Sequence, residues 1–132
     1  MDILLNAAAV ARSSRGVRNY AKRVLAHLRW HGSVERLQGF AMPSALERVY
    51  EMARRGRADA ILWTPCQRGP LLARHHVMTV HDCISIEYTY RSDPRLGVYL
   101  RMMQWLLRNA EAVVAISHST REAILRHFDL DT

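Results

Sequence analysis

Short apolar runs alternate along this chain with longer segments in which apolar residues recur every three or four positions. Residues 3–9, 60–63, 77–80 and 112–116 are runs of the first kind, and their continuous apolar character predicts strands buried on both faces of a sheet. A weaker run at 34–40 predicts a short additional strand. Because helical segments separate these runs, the order of elements predicts an α/β domain with a parallel sheet.

Four segments have the periodicity of amphipathic helices. The second of them begins at the N-cap Ser44, with Glu47 placed three residues later for a capping box, and the last follows Ser117 as its N-cap. Helices between parallel strands cover the faces of a sheet, so we expect a single Rossmann-like domain. The predicted helices are residues 17–30, 44–56, 92–109 and 118–128.

Polar loops follow the predicted strands at their carboxyl ends, where open α/β sheets bind their ligands. The first contains Arg15 and Gly16 and precedes a helix whose free N–H groups favour anions. A solvated basic turn would have the same sequence, so these residues alone do not decide between an anion-binding loop and such a turn. The four loops are residues 12–16, 64–70, 81–93 and 117–119.

His81 and Asp82 follow the strand at 77–80 directly, which places both residues at the rim of the expected crevice. A histidine can donate, accept or shuttle protons near neutral pH, and an adjacent carboxylate can orient it or complement its charged form. The alternative is that Asp82 caps a turn while His81 fills space. Tyr88, in the same loop, offers an aromatic face that could stack on a sugar or a lipid.

The 132 residues fit one domain, and their net charge of +7 favours anionic partners. Basic residues of the first long helix, Arg18, Lys22 and Arg29, could meet an anionic membrane surface. Two cysteines exclude a dense disulfide framework, and the cysteine and histidine spacings match no metal signature, so we expect no metal. Without a run of membrane length or a basic leader, we expect a cytoplasmic protein, peripheral at the inner face of the membrane.

Three motifs, in this order, resemble the retaining glycosyltransferases of family 4. They are Gly16-Val17-Arg18-Asn19-Tyr20 before a helix, a strand that ends in His81-Asp82, and a strand that ends in Ser117 before another helix. The run at 62–71 adds to the resemblance, which covers nearly the whole chain. It implies half of a GT-B architecture, in which two Rossmann-like domains face each other across a cleft.

The resemblance also implies roles for individual residues. Residues 1–132 would form the N-terminal, acceptor-side domain, and a C-terminal donor-binding domain is absent from this sequence. Arg15 and Gly16 would lie at the donor phosphates, and His81 with Asp82 would be the catalytic pair beside the transferred sugar. The expected acceptor or cleft residues are Arg18, Tyr20, Tyr88, Arg91, Ser117 and His118.

Sugar transfer from a nucleotide-sugar to a glycan or lipid-linked acceptor is therefore the expected function, with the nucleotide-sugar as co-substrate and no other cofactor. The paired glutamates of the family's donor domain are missing here, so we expect the chain to be inactive without that domain or a partner chain that supplies it. The alternative is a standalone, non-catalytic Rossmann-like module that binds a nucleotide or a partner. Binding of nucleic acid would rest on charge alone, because no nucleic-acid motif is present.

Overall fold

Five parallel strands form one sheet in the part of the chain that the computed structural model describes, which is residues 2–11, 13–28, 34–37, 59–67, 69–84, 86–87 and 94–130. The strands are β1 (Asp2–Asn6), β2 (Val34–Leu37), β3 (Ala60–Thr64), β4 (His76–Val80) and β5 (Ala112–Ala115). They lie in the order β2-β1-β3-β4-β5, and each neighbouring pair is parallel. The predicted α/β class is confirmed.

Helices connect these strands. They are α1 (Ala7–Ala11), α2 (Arg15–Leu28), α3 (Pro94–Asn109) and α4 (His118–His127). The predicted helices at 92–109 and 118–128 are confirmed by α3 and α4. The helix predicted at 44–56 lies outside the described residues.

The predicted strand at 3–9 is wrong in its last three residues, because the chain turns into α1 immediately after Asn6. The side chain of Asn6 causes this early change: its Oδ1 accepts a hydrogen bond from the backbone N–H of Ala9 at 3.2 Å, as an N-cap does. Alanine has the highest helix propensity of all residues, so the following Ala-rich run continues the helix. An apolar run of alanines was therefore a weak indicator of a strand.

The two faces of the sheet are covered by different helices, because side chains alternate between the faces along each strand. On one face, α2 packs through Leu25 against Leu5 of β1 and Trp63 of β3. On the other face, α3 and α4 cover Met78 and Val80 of β4. The buried residues that α3 and α4 contribute to this cluster are Met103, Leu106, Leu107, Ala123 and Ile124.

The strand order places a topological switch point between β1 and β3. From β1 the chain passes through α2 to β2 on one side, and β3, β4 and β5 follow on the other side. Ligands of doubly wound sheets bind beyond the carboxyl ends of the strands at such a point. None of the helices in the described ranges is long and apolar enough to cross a membrane.

Candidate functional site

Buried polar side chains meet beneath the carboxyl ends of β1 and β3, at the switch point. Asn6 ends β1, Thr64 ends β3, and the Asn6 Nδ2 atom donates to the Thr64 hydroxyl over 3.4 Å. The Thr64 hydroxyl also lies 3.0 Å from Nε2 of His76, the first residue of β4. All three side chains are almost fully buried, so their mutual hydrogen bonds offset the cost of removing them from water.

His76 is held in its uncharged form at neutral pH. Burial lowers its pKa from 6.5 to about 4, because desolvation disfavours the imidazolium. Gly69 lies directly against this ring: a Cβ atom at Gly69 would be 2.5 Å from His76 Cε1 and 2.9 Å from Nε2. The glycine is therefore needed so that the loop after β3 can close over His76.

His81 lies immediately after β4 and is fixed by contacts from three other segments. Its Nε2 atom is 2.9 Å from the carbonyl oxygen of Pro65. Because a carbonyl only accepts, this bond requires the proton on Nε2 and leaves Nδ1 as the other ring nitrogen. The ring of Tyr20 meets the imidazole edge to face, with centroids 5.0 Å apart at 88°. The Thr120 hydroxyl donates to the His81 carbonyl oxygen over 3.1 Å.

The first turn of α2 contains Arg15 and Gly16, which the sequence analysis placed in a loop; that placement is wrong. The helix begins earlier because Ser14 accepts a hydrogen bond from the N–H of Val17 at 3.4 Å and so acts as an N-terminal cap. Both Arg15 and Gly16 are exposed. A Cβ atom at Gly16 would meet only the Ser14 hydroxyl, at 3.9 Å, so packing within the described structure does not require glycine here.

Gly16 and Tyr20 stand four residues apart in α2 and therefore share one helix face. Helical side chains lean towards the helix N-terminus, so the side chain of Tyr20 is directed towards the turn that contains Gly16. Since the Tyr20 ring contacts His81, the helix face that includes Gly16 is the face turned towards the imidazole.

Arg18 and Asp82 make local contacts. The Nη1 atom of Arg18 donates to the carbonyl oxygen of Ser13 over 2.8 Å, at the turn between α1 and α2. The Asp82 carboxylate accepts from the N–H of Ile84 over 3.2 Å, which is the turn-capping arrangement, and its backbone carbonyl accepts from the Gln67 amide. Asp82 is exposed beside His81.

The first turn of α4 contacts the backbone of His81. Ser117 is the N-cap, as predicted, and its hydroxyl accepts from the N–H of Thr120 over 3.1 Å. The hydroxyls of these two residues are 3.0 Å apart, so Thr120 links the helix cap to the His81 backbone. His118 is exposed on the same turn. Tyr88 and Arg91 lie outside the described residues.

Both cysteines are buried, and neither forms a disulfide. Burial raises the pKa of the Cys83 thiol, and the negative charges of Glu87 and Asp82 raise it further, so the unreactive thiol is favoured over the thiolate. Among the described side chains, no three from His, Cys, Asp and Glu are grouped as a metal site requires.

Thr120, Gln67 and His76 are parts of this site that the sequence analysis missed. The pair Ser117 and Thr120 has the three-residue spacing of a helix cap, and that spacing was the available signal for Thr120. Gln67 lies in a loop that had been singled out only as a whole. Nothing in the sequence indicated the role of His76, because that role depends on its contacts with Thr64 and Gly69 in the folded chain.

Comparison with known proteins assigns nearly the whole chain to one family. The family profile described as Glycosyltransferase Family 4 matches residues 8–132. The curated proteins and the solved structures gave no match.

Proposed function

Because the chain belongs to Glycosyltransferase Family 4, we propose that it forms the acceptor-side half of a retaining glycosyltransferase. The co-substrate is a nucleotide-sugar, and the acceptor is a glycan or a lipid-linked glycan. In the reaction, the acceptor oxygen forms a bond to the anomeric carbon as the bond between that carbon and the nucleoside diphosphate breaks. The acceptor's proton passes to the departing diphosphate, and the configuration at the anomeric carbon is retained. A donor-binding domain, supplied by further chain or by a partner, completes the cleft.

The observation that carries this proposal is the arrangement of Gly16, Tyr20 and His81. The open position at Gly16 lies in the first turn of α2, where exposed N–H groups and the helix dipole favour phosphate oxygens. One turn further on, Tyr20 supports the ring of His81. A donor whose diphosphate lies against Gly16 would therefore bring its sugar towards His81.

His81 is suited to bind the sugar or the departing diphosphate. Its Nε2–H is used by the Pro65 carbonyl, so Nδ1 is the ring nitrogen that remains for a ligand. A pre-positioned group costs little further entropy when a substrate binds. We assign Arg15 to the diphosphate and the Asp82 carboxylate to the rim beside the reacting sugar, while Arg18, Ser117 and His118 stand near the acceptor.

The proposal can be tested on the chain itself by NMR titration with uridine, guanosine and adenosine diphosphates, and with inorganic diphosphate. We expect the amides of Arg15 and Gly16 and the His81 ring to shift together with at least one nucleotide. Residues of α3, on the other face of the sheet, serve as an internal control. Shifts confined to other surfaces, or none, would overturn the donor assignment.

A transfer assay then separates an enzyme half from a standalone binding module. The chain is mixed with donor-binding domains of the same family, and transfer of radiolabelled sugar to extracted glycans and lipids is followed. Transfer that requires both components, and that is lost when His81 is replaced by alanine, supports the proposal. Nucleotide binding without transfer in any combination would instead favour the binding module.

A further inference from the structure

An exposed surface on α3 combines apolar and basic side chains. Val98, Arg101 and Trp105 follow one another at three- and four-residue spacing along the outer face of the helix. The side chain of Val98 is 62% exposed and that of Trp105 is 51% exposed. Leu72, from the connection between β3 and β4, is 49% exposed beside them. We define these four residues as the α3 surface.

The α3 surface is one continuous feature. Its four residues, with Leu71 and Met102, line a shallow groove of about 620 Å³. The indole Nε1 of Trp105 donates to the carbonyl oxygen of Leu71 over 2.9 Å. This bond fixes the ring and satisfies its only polar atom, so what Trp105 presents to solvent is apolar.

The charge of this surface is positive, and no ion pair among the described residues compensates it. Arg101 takes part in none of the ion pairs found in the described ranges. Arg108, further along the helix, is by contrast paired with Asp129 at 2.6 Å. The chain as a whole has a net charge of +7. An unpaired arginine between exposed apolar side chains complements a partner that is apolar inside and anionic at its surface.

From this pattern we propose that the α3 surface docks onto an anionic lipid bilayer. Val98, Trp105 and Leu72 enter the boundary between headgroups and acyl chains, and Arg101 contacts lipid phosphates. Exposed helical stripes of this composition bind membranes through buried apolar area together with attraction to anionic lipids. Docking would bring the chain to the surface in which a lipid-linked acceptor lies. This deepens the proposed function by favouring a lipid-linked acceptor.

The basic face of α2 is the competing surface. Arg18 and Lys22 are exposed there, but none of the exposed large apolar residues in the described structure belongs to α2. Because α2 and α3 cover opposite faces of the sheet, a flat bilayer meets one of them or the other. Charge alone holds a protein at the surface, whereas stable binding also needs apolar insertion.

Sedimentation with vesicles tests the proposal, using phosphatidylcholine alone or with about 30% phosphatidylglycerol to supply the negative surface potential. We expect the chain to bind the anionic vesicles and not the neutral ones. Arg101→Gln should weaken binding about fivefold, the equivalent of about 1 kcal/mol for one basic residue near the surface. Val98→Gln should weaken it by about threefold to tenfold through lost apolar burial.

The double variant Arg18→Gln, Lys22→Gln is the matched control on the opposite face. Weaker binding by this variant, with Arg101→Gln and Val98→Gln unchanged, would overturn the proposal in favour of α2. Absence of binding to anionic vesicles would also overturn it. So would self-association of the chain that Val98→Gln abolishes, if no vesicle binding is seen, because the α3 surface would then contact a second copy of the chain. Vesicle binding needs no sugar nucleotide, so the two proposals fail independently. A chain that does not bind vesicles could still take part in sugar transfer, and a chain that shows no transfer could still bind membranes.

Discussion

The substitution Gly16→Ala tests whether the open position at the start of α2 is there for a ligand. Gly16 lies in the first turn of α2, and an added Cβ atom would meet only the Ser14 hydroxyl, at the ordinary contact distance of 3.9 Å. Alanine also loses less conformational entropy than glycine when a helix forms. The free energy of unfolding should therefore rise by about 0.5–1 kcal/mol, which raises Tm by a few degrees.

Ligand binding should change in the opposite direction. Glycine at the start of a helix in a dinucleotide site allows phosphate oxygens to approach the backbone closely, and a methyl group would occupy that space. We expect the variant to bind the preferred nucleoside diphosphate at least about tenfold more weakly, a loss of about 1.4 kcal/mol. Urea unfolding measures the first quantity, and NMR titration of the His81 ring measures the second.

Gly69→Ala is the matched control, because its glycine is required by packing within the protein. The new Cβ atom would lie 2.5 Å from His76 Cε1 and 3.5 Å from Leu106 Cδ2, so this variant should lose about 1–3 kcal/mol of stability. The reasoning is refuted if Gly16→Ala is destabilised like Gly69→Ala. It is equally refuted if Gly16→Ala binds nucleotide as tightly as the parent chain.

The central strands β3 and β4 could be predicted because they are buried. Apolar runs without helical period fixed both to within a residue or so, since parallel strands covered on both faces need apolar residues at every position. An apolar run also predicted β5, although this strand is last in the sheet order and its residues are exposed or only partly buried. The predicted start of α2 lies two residues too late, because residues 12–16 have the composition of a polar loop. In the first turn, the hydroxyl of Ser14 decides where the helix begins.

The contacts within the site were harder to predict, because they join residues far apart in sequence. His81 and Tyr20 were both expected at the crevice, but nothing in the sequence indicates that their rings touch. The link from Thr120 to the His81 carbonyl spans 39 residues. Such contacts depend on the crossing of helices over the sheet, whereas periodicity reports only which face of an element is buried.

Two further predictions concern stability. The folded state holds the pKa of His76 at about 4, against 6.5 for an unperturbed histidine, so the unfolded chain takes up a proton first as pH falls. The free energy of unfolding is therefore at its full value above about pH 6.5, and about 2 kcal/mol of it should be lost by pH 5. Comparing urea unfolding of the parent chain and of His76→Gln between pH 7.5 and 5 isolates this loss, and equal pH dependence would contradict it. Replacing Thr120 with valine leaves the His81 carbonyl without its donor and should cost about 1–3 kcal/mol. Thr120→Ser should retain most of that stability and the NMR signal of the His81 ring, and equal losses in both variants would argue against the hydrogen bond.

His81 is positioned by three segments that reach it from different parts of the fold. Pro65 follows β3, Tyr20 belongs to α2, and Thr120 belongs to α4. Since α2 and α4 cover opposite faces of the sheet, the imidazole is fixed by the packing of both layers, and the loop in which it lies contributes less. The effects on the His81 ring of Tyr20→Leu, which removes the aromatic contact, and of Thr120→Val should therefore be nearly additive, because the two residues lie on opposite faces of the sheet and touch different atoms of His81. A large coupling between them would show instead that the loop moves as one unit, and the site would then depend on loop conformation more than on the sheet.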